Sequence, residues 1–273
     1  METLRYVTIL LYLASTAGYL LYLFLQKDGF HRAGFYLLIA GAGIHSLDLL
    51  VATVSRGQLP ATNLYESLSI AAWAIAVVFL VIQSRYKIRI LGIFAAPLAA
   101  AITILAIRLP AAPAQTQTIF DSIWFTVHIV SVFIGEAALA LACGVGLLYL
   151  LQEHAIKQKK RGFFYSRLPS LELLDATGYA CIVVGFTMLT IGLITGFVYA
   201  KAIWGRFWSW DPKEVWSGIT WILYAVLLHE RLAVGWRGRR AAIMAIIGFC
   251  VVLFTFIGVN FFMTGHHGQF TKF

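Results

Sequence analysis

Long apolar runs separated by short polar and charged clusters dominate this chain of 273 residues. Eight runs are long enough to cross a bilayer as helices: Tyr6–Leu25, Ala33–Val54, Leu64–Gln83, Ile88–Ile107, Ile123–Leu151, Tyr179–Ala200, Val215–Leu232 and Ala241–Phe262. About 20 mostly apolar residues, rising about 1.5 Å each, cover roughly 30 Å of hydrocarbon. Barrel strands are excluded, because they alternate apolar and polar residues over about 10 positions and these runs do not. A backbone in lipid must satisfy its own N–H and C=O groups, which leaves helices. The pattern therefore predicts an all-α integral membrane protein of eight transmembrane helices, one polytopic domain over residues 1–273. Tyr6–Leu25 reads as the first span and not a cleaved leader, since no small-residue cleavage site follows it closely.

Composition agrees with that pattern and narrows the function classes. Apolar residues make up 60% of the chain and charged residues 12%, with a mean hydropathy of +0.83. A soluble domain carries about 25% charged residues, so a water-soluble globule is excluded, and so is disorder. Cys143, Cys181 and Cys250 stand singly in apolar runs and predict neither disulfides nor a zinc or thiol-redox site. The net charge of +9 is a topology signal and not a nucleic-acid footprint. Connections one-two, three-four, five-six and seven-eight hold fourteen of the 21 Lys and Arg residues, and the other side, termini included, holds seven. The positive-inside rule then places both termini outside, together with the loops around Pro60, Pro110 and Trp208.

The outward connection between spans six and seven, residues 201–214, is the most unusual stretch. It reads Lys201-Ala-Ile-Trp-Gly-Arg-Phe-Trp-Ser-Trp-Asp-Pro-Lys-Glu214, and Trp204, Trp208, Trp210 and Trp216 fall within thirteen residues. One reading is an aromatic belt, since Trp favours membrane interfaces. Another is a platform for a flat, polarisable ligand, since aromatic rings pack on extended π systems. Asp211 before Pro212, with Glu214 behind, has the form of a helix start capped by Asp211.

The run Trp204-Gly205-x-x-Trp208-x-Trp210-Asp211-Pro212-Lys213-Glu214 resembles the tryptophan-rich WWD signature of the haem-handling proteins of cytochrome c biogenesis. The likeness extends through Gly185-Phe186-Thr187 to Ile191-Gly192 before it and Ile219-Thr220-Trp221 to His229 after it. Thr62-Asn-Leu-Tyr-Glu-Ser-Leu68, followed by Trp73, resembles the CcsA (ResC) branch of system II. The likeness is strong from about residue 60 onward, and the first two spans match mainly in kind.

Histidines sort by this topology. His31 and His154 fall in inner connections, where a solvated side chain is expected. His128 lies near the outer end of span five, and His266 and His267 follow span eight on the same side. An imidazole in hydrocarbon is costly unless paired, so His128 is a candidate ligand or hydrogen-bonding group. Two neutral imidazoles from separate helices supply both axial positions of a haem iron, and the competing reading is interfacial histidines satisfied by water. The resemblance implies that Trp124-x-x-x-His128 carries the first haem ligand and Gly258-Val-Asn260-x-x-x-x-Gly265-x-His267 the second, with His266 as a neighbouring competitor.

It further implies that His229 helps hold haem within the bilayer. From the residues alone, the favoured reading of His229 is an inner-interface side chain snorkelling with Glu230 and Arg231. His45 is the intramembrane partner this chain offers it, and a partner subunit is the alternative source. Asp48, one turn after His45, is a candidate to orient that imidazole. Glu136 departs from the family pattern, which often has a neutral aromatic there.

Taken together, the resemblance implies a multi-pass protein of the bacterial inner membrane that carries haem b as transient cargo. It would present haem at the outer face to the CxxCH of an apocytochrome c, within a holocytochrome c synthase complex. A separate CcsB (ResB) subunit is implied, because nothing here resembles its large outer domain. The cofactor-binding set is His128, His267, His229, Trp204, Trp208, Trp210 and Asp211, then His266 and His45, with no catalytic residue assigned. The rivals are a CcmC-type protein delivering haem to a chaperone, which has about six spans, and a haem-free transporter or scaffold with an aromatic vestibule.

Overall fold

The computed structural model describes residues 2–109, 122–159, 162–163 and 165–263. Their main helices are α1 (Glu2–Leu25), α2 (Asp28–Arg56), α3 (Leu64–Tyr86), α4 (Gly92–Arg108), α5 (Ile123–Lys157), α6 (Leu171–Trp204), α7 (Pro212–His229) and α8 (Arg239–Leu253). A 3-10 turn, Arg89–Leu91, leads into α4. A π turn, Glu230–Val234, follows α7, and another, Phe254–Gly258, carries α8 into a last turn at Val259–Phe262. No strand occurs among the described residues.

Each expected apolar run is helical. Seven helices among the described residues are long and apolar enough to cross a membrane. The exception is α7, whose 18 residues include Lys213 and Glu214 in the first turn and His229 at the end. The polar first turn and the terminal imidazole dilute its apolar stretch.

Helix ends follow from local side-chain chemistry. Gly57, at φ 71°, takes the left-handed conformation that closes α2. Asn63 caps α3 by accepting from the Glu66 amide at 2.9 Å. The Glu66 carboxylate accepts in turn from the Thr62 amide at 2.8 Å and the Thr62 hydroxyl at 2.9 Å, and it pairs with Arg56. Ser122 and Ser170 cap α5 and α6 in the same manner.

Helix α5 forms the centre, packed on α3, α4, α6 and α8. It runs antiparallel to α6, with Phe125 against Tyr199 at one end and Gly135 against Gly185 further along. A Cβ at Gly135 would lie 3.1 Å from the Gly185 carbonyl, so the two backbones touch. Leu10, Val54, Ile194 and Ile222 are among the large apolar side chains exposed around the outside, which suits a surface in lipid.

At the end away from the tryptophan loop, Arg231 donates to Asp175 from both guanidinium nitrogens, at 3.0 and 2.7 Å. The Gly238 amide donates to the same carboxylate at 2.7 Å. This fork ties the chain just after His229 to α6 and to the start of α8.

Candidate functional site

The tryptophan loop is shorter than its sequence span suggests. Lys201–Trp204 completes α6 and Pro212 begins α7, so only residues 205–211 are irregular. Gly205, at φ 73°, ends α6 in the left-handed conformation. Asp211 is the buried cap of α7 and accepts from the Lys213 amide at 2.9 Å within a complete capping box. The Glu214 carboxylate accepts from the Ser209 amide at 2.8 Å, the Ser209 hydroxyl at 2.9 Å and the Asp211 amide at 3.2 Å. It therefore grips the backbone on both sides of Trp210. That residue sits at φ 60°, an uncommon conformation for a bulky side chain, which the surrounding bonds must hold in place.

The grip sets the indoles. Trp208 packs edge-on to Phe197 of α6 at 5.8 Å and perpendicular to Trp210 at 5.7 Å. Trp210 is 77% exposed and stands out from the bundle. Trp204, at the last position of α6, instead turns toward a cavity between α5, α6 and α7.

That cavity has a volume of about 180 Å³. His128, Phe125, Phe133, Phe197, Tyr199 and Phe256 line it with Trp204, and Glu136 and Lys213 face it as well. The His128 Nδ1 lies 2.7 Å from the Gly192 carbonyl on α6. A carbonyl only accepts, so Nδ1 carries the hydrogen and the lone pair falls on Nε2, the form that ligates metal. Gly196, one turn further, makes room for the ring: a Cβ there would lie 2.8 Å from Nδ1 and 2.9 Å from Cε1. An aromatic chamber that holds an imidazole in its metal-binding tautomer offers the groups a flat metal-bearing ring calls for: rings to pack on its faces and a nitrogen for its iron.

Other histidines lie elsewhere. His45 is buried with both ring nitrogens engaged, Nδ1 with the Tyr12 hydroxyl at 3.2 Å and Nε2 with the Ser69 hydroxyl at 2.9 Å. Asp48 does not orient it as expected, because Arg5 reaches down from α1 and takes that carboxylate at 3.4 Å. His229 is the exposed last residue of α7, at the opposite end from the tryptophan loop, so the structure does not bring it to His45. His31, expected in solvent, lies in the first turn of α2 beside Gln83 and the rings of Tyr19, Tyr22 and Phe35. The reason is that α2 begins at Asp28, which makes residue 31 part of the helix interface. His266 and His267 lie outside the described residues.

Sequence reasoning passed over the roles of three residues. Gly192 and Gly196 hold the His128 ring, and their GxxxG spacing was the available signal of a close helix approach. Lys213, read only as part of the motif, turns its side chain into the cavity, which no spacing rule discloses.

The chain matches a family model described as "Cytochrome C assembly protein" over residues 61–267. It is 34% identical over 261 residues to "Cytochrome c biogenesis protein CcsA" of Synechococcus sp. (strain CC9902), covering 85% of this chain and 84% of that protein. To the protein of the same name from Chlamydomonas reinhardtii it is 34% identical over 226 residues, covering 80% and 63% respectively. A solved structure titled "Cytochrome c Heme Lyase CcmF" matches with a TM-score of 0.63 at 17% identity, over 98% of this chain. This chain spans 48% of that one, and the likeness is one of fold.

Proposed function

We propose, for a chain that belongs to the cytochrome c assembly protein family and thus serves cytochrome c maturation as a multi-pass membrane protein, that it carries haem b and presents it to apocytochrome c. The cargo is held at the outer face between His128 and His267, against Trp204, Trp208 and Trp210. The observation that carries this reading is the His128 ring, fixed by the Gly192 carbonyl in its metal-binding tautomer inside an aromatic cavity.

In this reading the chain has eight spans in a bacterial inner membrane, with both termini and the tryptophan loop outside. The exposed position of His229 near the opposite end suits a second haem station, completed by a CcsB (ResB) subunit and not by His45, whose nitrogens are both engaged. The attachment step adds each CxxCH thiol across a haem vinyl: a C–S bond forms, the thiol hydrogen goes to the neighbouring carbon, and nothing leaves. The chain contributes orientation of the ring and exclusion of water, and the bond-forming groups belong to haem and client.

The test is maturation of a CxxCH reporter in cells stripped of their own cytochrome c assembly genes. Wild-type chain with a ResB-type partner is expected to yield reporter carrying covalent haem, and the His128→Ala, His267→Ala double variant none. Maturation that needs a haem chaperone but no ResB-type partner would favour the CcmC-type route. No covalent haem with the wild-type pair would overturn the proposal.

A further inference from the structure

Beyond His128, two ionisable side chains of opposite sign, Glu136 and Lys213, also line the cavity. Glu136 stands about 12 Å further along α5, eight residues at about 1.5 Å each. Lys213 reaches the same chamber from the first turn of α7, where the carboxyls of Glu136 and Asp211 both act on it electrostatically. Aromatic rings stand beside Lys213. The Lys213 Nζ is 6.0 Å from the Phe256 ring centroid, and Phe256 meets Phe133 edge-on at 5.8 Å. The Lys213 amide serves the Asp211 cap, whereas its side chain faces the cavity. Glu136 also borders a smaller adjoining cavity lined by Ser217, Thr220 and Thr255.

Charges taken from water into an apolar chamber are expensive to keep, and hydrophobic residues of like volume would stabilise the bundle at least as well. A cation inside a ligand cavity has a use if the ligand carries an anion. We propose that Lys213 is the carboxylate-recognition group of this cavity, binding a propionate of the haem cargo, with Glu136 as the internal counter-ion that Lys213 faces until the cargo arrives. The inference rests on the haem reading above and adds an orientation to it. Vinyl and propionate groups occupy opposite edges of the ring. With the propionate edge on Lys213, the vinyl edge faces the side of the cavity away from that contact.

The experiment titrates the purified full-length chain with haem and with haem dimethyl ester, which keeps the iron, ring and vinyls and lacks the carboxylates. Affinities are read from the Soret band. Wild type is expected to bind haem at least about tenfold more tightly than the ester, the scale of one charge-assisted contact. Lys213→Gln should bring that ratio close to one, and Lys213→Arg should restore most of it. Glu136→Gln, which removes the competitor for Lys213, should widen the ratio by a few-fold and remains informative if Lys213→Gln fails to fold. A wild-type ratio near one, a ratio unmoved by Lys213→Gln, or one unchanged or narrowed by Glu136→Gln would overturn the orientation. Failure to bind either porphyrin would instead strike the haem reading itself.

Discussion

His128 and His45 both lie inside the helix bundle, yet their surroundings ask different things of them. His45 spans two hydroxyls, Tyr12 on α1 and Ser69 on α3, so both nitrogens serve to fasten helices together. His128 gives one nitrogen to a backbone carbonyl, and its ring lines a cavity with Trp204 and five other aromatic side chains. What separates the two imidazoles is their setting: hydroxyls from two neighbouring helices around His45, and an aromatic cavity beside His128.

Exchanging each residue for alanine is the hardest blow to that contrast. His128→Ala should weaken haem binding by more than about 100-fold, beyond the 10–100-fold typical of losing a group behind a metal ligand. His45→Ala should leave the haem spectrum in place. Equal losses from both, measured by Soret titration, would erase the distinction. Gly196→Val is next in size. Its side chain enters space held by the imidazole, 2.8 Å from Nδ1, and should weaken binding by about 10–100-fold. Unchanged affinity would mean that the ring's placement on α6 is irrelevant.

His45→Ala should appear instead as lost stability. It strands two hydroxyls in the bundle, at a cost of about 1–3 kcal/mol, visible as a lower melting temperature in detergent. The smallest effect concerns the loop. Glu214→Ala removes three accepted hydrogen bonds around Trp210, one of them an arm of the capping box, for about 0.5–2 kcal/mol. Because Trp210 holds φ 60° only with that support, Trp210→Gly should shrink the cost of Glu214→Ala, and a double-mutant cycle with no coupling would dissociate the two.

The contrast also shows what a sequence discloses. Apolar length placed a helix at each of the eight runs, because lipid leaves the backbone no alternative. The Asp211 cap was equally legible, since caps depend on neighbours within one turn. The partners of His45 and Asp48 were not, because Tyr12, Ser69 and Arg5 approach from other helices whose rotation no local pattern fixes. Glu136 was legible only as a departure from the family pattern, and it took the fold, with α7 packed on α6 and α8, to bring Lys213 to the same cavity.

The absorption spectrum of the full-length chain purified from haem-replete cells tests the central claim most directly. The account expects the Soret and α/β bands of bis-imidazole haem in wild type and in His45→Ala, and their loss in the His128→Ala, His267→Ala double variant. A colourless wild-type protein, or a double variant that keeps the bis-imidazole bands, would contradict it.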